Sequence, residues 1–215
     1  MFIGHFGVAL AAKKFAPRTS LGTLIVAAEF LDVLWPVFLV AGVEHVRIAP
    51  GITKVNPLDF YDYPVSHSLV ATSGWAAVFA LLYFALRKYK AGALVCGALV
   101  LSHWFLDALV HRPDLPVGPR GPYVGLGLWN SVAASVAAEL ALFVIGLALY
   151  LGVSKPMDAA GRWGFGSLFI LLLAIWGNSL NGTPPPNLKV LEIMTFSLWL
   201  TFVWAWWADK HRVIE

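Results

Sequence analysis

The chain has 215 residues, of which 59% belong to the apolar AVILMFWYC set and 13% are charged, with a formal net charge of +3. Soluble domains carry about a quarter charged residues, so a water-solvated globule is excluded. The aromatic content excludes disorder, and the single cysteine, Cys96, excludes a disulfide scaffold.

A mean hydropathy of +0.74 with a pI of 9.1 predicts an all-α, polytopic membrane helix bundle. The basic residues then mark topology, and no nucleic-acid partner is expected.

In chain order, residues 1–15 come first. Ile3 to Ala12 is apolar but too short to span, and its positive charges follow it, whereas a signal peptide carries them in front. This segment is predicted to be a short helix, half-inserted or interfacial, that stays on the mature protein. Six stretches then reach the roughly 20 apolar residues a crossing needs: Ser20–Val43, His67–Leu86, Ala91–Val110, Leu128–Gly152, Trp163–Leu180 and Leu188–Ala208. Breakers separate them, among them Ala49-Pro50-Gly51, Arg112-Pro113-Asp114 and Asn181-Gly182-Thr183-Pro184-Pro185-Pro186. No repeat or soluble second domain is visible, so residues 1–215 read as one membrane domain with its six-span bundle at 20–208.

Six spans divide the 15 basic residues. Lys13, Lys14, Arg18, Arg87, Lys88, Lys90, Lys155, Arg162, Lys210 and Arg212 fall on one side, and Arg47, Lys54, Arg112, Arg120 and Lys189 on the other. The richer side is expected to be cytoplasmic, with both ends of the bundle there.

Ionisable residues inside spans are costly and usually face a bundle interior. The first span carries Glu29 and Asp32, the second opens on Ser66-His67-Ser68, the third carries His103, Asp107 and His111 on one face, and the fourth carries Glu139. His5 sits in the short first helix. At about 1.5 Å per residue, these groups fall between the midplane and the outer face. Imidazole and carboxylate together suit zinc, with manganese or iron as second choices. His103 and His111 stand about 12 Å apart along the helix, so one ion cannot use both. Two ions bridged by Asp107 would use the whole set.

Plain alternatives stand beside these readings. His103 and Asp107 suit a hydrogen bond between helices, and His67 suits an interfacial residue with Ser66 as N-cap. Glu139 suits a bond to Ser135 or to a neighbouring helix, His111 solvation at a span end, and Asp59 and Asp62 an ordinary loop.

The ordered set Phe2-Ile3-Gly4-His5, Glu29-Phe30-Leu31-Asp32, Ser66-His67-Ser68 and Ser102-His103-Trp104-Phe105-Leu106-Asp107 resembles a family of bacterial inner-membrane metal-dependent hydrolases. That family is itself distantly similar to zinc-dependent phospholipase C and the single-strand-specific zinc nucleases. The resemblance covers roughly Met1 to Val110. It departs where the family carries two aspartates one residue apart: Phe30 fills the first position, Asp32 matches the second, and Glu29 is the neighbouring carboxylate. Tyr61-Asp62-Tyr63-Pro64-Val65 replaces a His-Arg-Gly.

The expected function is therefore hydrolysis of a lipid-linked ester, most simply a phosphoester, by a metal-bound hydroxide in a bacterial-type inner membrane. His5, Asp32, His67, His103 and Asp107 are the expected ligands, with His111 a further candidate and Glu139 or Glu29 a ligand or general base. The rivals are a zinc-dependent lipid amidase using Ser66 or Ser68, a transporter or proton relay, and a scaffold with a structural metal.

Overall fold

The computed structural model describes all 215 residues. It is mostly helical: α1 (Ile3–Ala12), α2 (Leu21–Ala28), α3 (Phe30–Val40), α4 (Pro64–His67), α5 (Leu69–Arg87), α6 (Lys90–Val110), α7 (Val132–Leu151), α8 (Phe165–Ser179), α9 (Leu188–Ser197) and α10 (Trp199–Lys210). Five helical stretches are long and apolar enough to cross a membrane, the last two being Ala160–Ser179 and Leu188–Lys210. A sixth exists only if α2 and α3 count as one span, and they are bent by 59°. The expected continuous helix over Ser20–Val43 is thus corrected to a broken one. The chain turns at Glu29 (φ −95°, ψ 9°), and Pro36 withholds the N–H that would bond back one turn to Asp32.

Side-chain caps set several helix starts. Ser20, Ser68, Ser131 and Asn187 accept the N–H groups of Thr23, Ala71, Ala134 and Val190. The N-cap of the second span is therefore Ser68, not Ser66. Outward faces are apolar: Leu81, Leu86, Leu94, Ile145, Ile170 and Leu200 are all exposed. In water such faces would be a liability, whereas lipid solvates them.

Three short two-stranded antiparallel ladders join the helices, which leaves the structure compatible with the expected all-α bundle. They are β1 (His45–Ile48) with β2 (Leu58–Asp62), β3 (Leu115–Pro116) with β4 (Tyr123–Val124), and β5 (Ser154–Pro156) with β6 (Arg212–Ile214). They form because the connecting segments need partners for their backbone groups, which the 3.6-residue pattern of the spans does not reveal. Asp59 and Asp62, expected in a plain loop, serve these connections: Asp62 pairs with His45 across the first ladder at 2.8 Å, and Asp59 pairs with Arg112. The Lys54 and Val55 N–H groups donate to the Trp129 carbonyl, which holds 44–62 and 111–131 at one end of the bundle. The β5–β6 ladder and the Lys13–Asp209 ion pair (2.8 Å) gather the opposite connections at the other.

The short helix α1 lies inside the bundle rather than at an interface, with eight of its ten residues buried. It packs most extensively on α7, then on α2. Gly7 and Gly146 permit this: a Cβ on Gly146 would overlap the Gly7 carbonyl, and one on Gly7 would stand 2.5 Å from the Leu142 carbonyl oxygen. Small residues let helix backbones approach this closely.

Candidate metal centre

Five side chains from separate stretches of sequence meet in the interior. His5 comes from α1, Asp32 from the first turn of α3, His67 from the end of α4, and His103 and Asp107 from successive turns of α6. Asp107 lies at the centre. Its Oδ1 stands 3.2 Å from His5 Nε2, and its Oδ2 stands 3.2 Å from His103 Nε2 and 3.9 Å from His67 Nε2. Asp32 lies opposite, Oδ1 3.4 Å from His67 Nε2 and Oδ2 3.9 Å from His103 Nε2. The atoms form two triads sharing His103, one of His5, His103 and Asp107 and one of Asp32, His67 and His103, each spanning at most 4.8 Å. The His5 and His103 rings stack at 3.8 Å.

The surroundings fix the imidazole tautomers. His103 Nδ1 stands 2.7 Å from the Ala28 carbonyl, which can only accept. Nδ1 therefore carries a proton, and Nε2, buried with no hydrogen-bond partner, faces the Asp32 and Asp107 carboxylates. His67 follows by a relay. Glu44 Oε2 accepts the Ser66 hydroxyl at 2.6 Å, so Ser66 Oγ accepts His67 Nδ1–H at 2.7 Å. His67 Nε2 likewise faces Asp32 and Asp107. Imidazole nitrogens this close to carboxylates in a buried site call for a cation between them, either a proton on Nε2 or a metal ion. No lysine or arginine reaches the cluster, and the Met1 ammonium pairs with Asp107 Oδ1. The two triads place nitrogen and oxygen donors close enough together that they could hold a metal ion.

The other predicted residues have separate places. Glu29 is buried, with Oε1 unpartnered, and lines the cavity beside Asp32. Glu139 lies outside both triads: its Oε2 accepts the N–H groups of Phe2 (2.8 Å) and Gly4 (3.3 Å), so it anchors the N-terminal end of α1. His111 is also outside them. Its Nδ1 bonds Asp114 Oδ1 at 2.9 Å, its ring packs 4.4 Å from that of Trp129, and no Asp107 bridge to it is formed. α6 ends at Val110, and His111 is its C-cap with extended backbone (ψ 145°) rather than a further helical turn.

Sequence reasoning assigned no role to Glu44, Tyr63 or Asp114. Glu44 is fully enclosed and also accepts the Val65 and Ser66 N–H groups, each at 2.7 Å. The visible signal was only a helix start at Pro64 with no capping residue ahead of it. Tyr63 donates to the Asp114 carbonyl at 3.2 Å; burial, reinforced by the Asp114 charge, pushes its phenol well above the ordinary tyrosine value, so it stays a neutral donor.

A cavity of about 180 Å³ opens beside the cluster. Glu29, Asp32, His67, Asp107 and His111 give it a polar floor, and Trp35, Phe60, Leu191, Leu198, Trp199 and Phe202 give it apolar walls. Asp32, with 44% of its side chain exposed, is the ligand candidate most open to it. Ser66 and Ser68 are committed to Glu44 and to the cap of α5.

The Glu44 relay has a measurable consequence. Glu44→Ala removes the acceptor that fixes Ser66, and with it the tautomer of His67. Outer-shell losses of this kind weaken metal binding about 10- to 100-fold. Zinc titration of purified Glu44→Ala and Glu44→Gln should show this weakening, less severe in the glutamine variant, which still accepts a hydrogen bond. Wild-type affinity in both would remove Glu44 from the site.

No protein-family model, curated protein or solved structure matches the chain. Its class rests on what has been described: a helical bundle of membrane-crossing character around an interior imidazole–carboxylate cluster.

Proposed function

We propose that this chain is a membrane-embedded, metal-dependent hydrolase that cleaves a lipid-linked phosphoester, akin to the inner-membrane hydrolases its motifs resemble. The observation that carries the reading is the convergence of His5, His67 and His103 nitrogens with Asp32 and Asp107 oxygens in two triads that share His103 and lie beside a cavity. His5, Asp32, His67, His103 and Asp107 hold one or two ions, zinc before manganese or iron. Such an ion, when bound, lowers the pKa of water and neutralises charge on phosphoryl oxygens. Glu29, with an unpartnered oxygen on the cavity wall, is the base placed to take the proton of the attacking water. The aromatic and aliphatic walls take an acyl or prenyl chain and exclude bulk water, which favours a lipid over a soluble phosphate ester.

The test is metal analysis with turnover of a phosphatidyl substrate. Detergent-purified protein should carry about one to two equivalents of a first-row metal, lose hydrolysis in chelator and regain it with zinc. Less than about a tenth of an equivalent, with no rebinding on dialysis against zinc, would overturn the reading.

On this reading α2 and α3 form one crossing, giving six spans in a bacterial-type inner membrane with the Lys13, Arg87 and Lys210 end cytoplasmic. Phe15 and Tyr123 are both exposed, at opposite ends of the bundle. In a Cys96→Ser background, an impermeant thiol reagent should label Tyr123→Cys in intact cells and Phe15→Cys only after lysis. The reverse pattern inverts the topology.

A further inference from the structure

We propose that a second site, remote from the metal cluster, holds one anionic phospholipid, with an acyl chain in a groove bounded by α5 and α10 and its phosphate on Arg18 and Arg87. The groove encloses about 410 Å³ and is walled by Phe30, Val78, Phe79, Leu82 and Trp206, with Arg87 at one end. It continues into a smaller hollow of about 190 Å³ that shares Tyr83, Leu86 and Arg87 and is completed by Arg18 and Tyr89. None of these residues lines the metal cavity, so the inference is independent of the hydrolase reading.

Charge and position select the occupant. Arg18 precedes α2 and Arg87 ends α5, so both stand at headgroup level when the apolar helices lie in a bilayer. The Arg18 guanidinium lies 4.7 Å over the Tyr89 ring, which holds it at the edge of the hollow. Neither arginine has a carboxylate partner. The acids at this end are engaged elsewhere: Asp209 with Lys13, Asp158 with His211, and Glu215 with Lys155. A free phosphate would meet the arginines but leave the apolar groove unfilled. A zwitterionic lipid would fill the groove but bring an ammonium group beside two guanidinium groups. A lipid with an anionic headgroup satisfies both parts.

The experiment uses the full chain, delipidated in detergent, with dioleoyl-phosphatidylglycerol, dioleoyl-phosphatidylcholine and glycerol 3-phosphate as probes. Saturating phosphatidylglycerol should raise Tm on the order of 5 °C and leave one lipid per chain in native mass spectrometry. Phosphatidylcholine should bind more weakly and glycerol 3-phosphate should leave Tm unchanged. Arg18→Ala/Arg87→Ala should keep the lipid-free Tm and reduce the preference for phosphatidylglycerol by roughly 5-fold per arginine. Val78→Trp, which fills the groove from an exposed position, should weaken both lipids. Equal binding of the two lipids, an unchanged preference in the double variant, full binding in Val78→Trp, or a full shift with glycerol 3-phosphate alone would each overturn the proposal.

Discussion

Asp107→Asn should abolish zinc-dependent stabilisation and also lower the stability of the metal-free protein. The reason lies in what each oxygen faces. Asp107 contributes one oxygen toward His5 and the other toward His103 and His67, so a cation in either triad draws on it. Replacing it with a neutral amide removes the charged ligand that faces both triads, and retention should fall by more than the roughly 100-fold that outer-shell changes reach. Without metal the same change leaves the buried Met1 ammonium without its carboxylate partner, and breaking one side of a buried ion pair costs about 3–5 kcal/mol. Thermal melts in chelator and in excess zinc separate the cases. The parent should gain roughly 5–15 °C with zinc at about 100 to 1,000 times Kd, and Asp107→Asn close to nothing. Equal gains in both proteins would make the cluster a hydrogen-bonded helix contact.

Gly146→Val is the second large effect, and it acts at a distance. A Cβ at Gly146 has no space beside the Gly7 carbonyl, so α1 must move off α7 and carry His5, which precedes Gly7 by two residues, with it. Overpacking in a close-fitted interior costs about 1–3 kcal/mol and occasionally more. Here the obstacle is backbone rather than a yielding side chain, so the upper end is expected, with a fall in Tm of roughly 6–12 °C. Metal retention should fall in parallel. Gly177→Ala is the control, because nothing lies within 4 Å of a Cβ there. A Gly146→Val protein that melts like the parent and keeps its metal would separate α1 docking from site assembly.

Much of the helical plan was legible because lipid-facing helices advertise themselves by length and apolarity. Leu69–Arg87, Lys90–Val110 and Val132–Leu151 lie within a few residues of the predicted spans. The bend at Glu29 was not legible. From Leu24 to Val40 only Glu29 and Asp32 interrupt an apolar run that suits a continuous helix, and Pro36 alone does not locate the turn. In the candidate site, His5, Asp32, His67, His103 and Asp107 were found because ionisable residues stand out against apolar surroundings. Glu44 was missed for the converse reason. It sits at the end of a span beside a connection, where an acid is ordinary, and only the fold brings it to Ser66. Glu139 looked like a reacting group because depth alone was readable; the two N–H groups it accepts belong to the start of the chain, more than a hundred residues earlier.

That separation in sequence sets an order of assembly. The helix bearing His5 is made well before the surface it packs against, Val132–Leu151, which follows more than a hundred residues later. At about 5–20 residues per second, translation leaves α1 waiting on the order of ten seconds without its partner, too short to span the bilayer alone. The Lys13–Asp209 latch arrives later still. Completion of the interior cluster is thus a late event in biogenesis, and a ribosome-bound chain truncated before Val132 should emerge with α1 undocked.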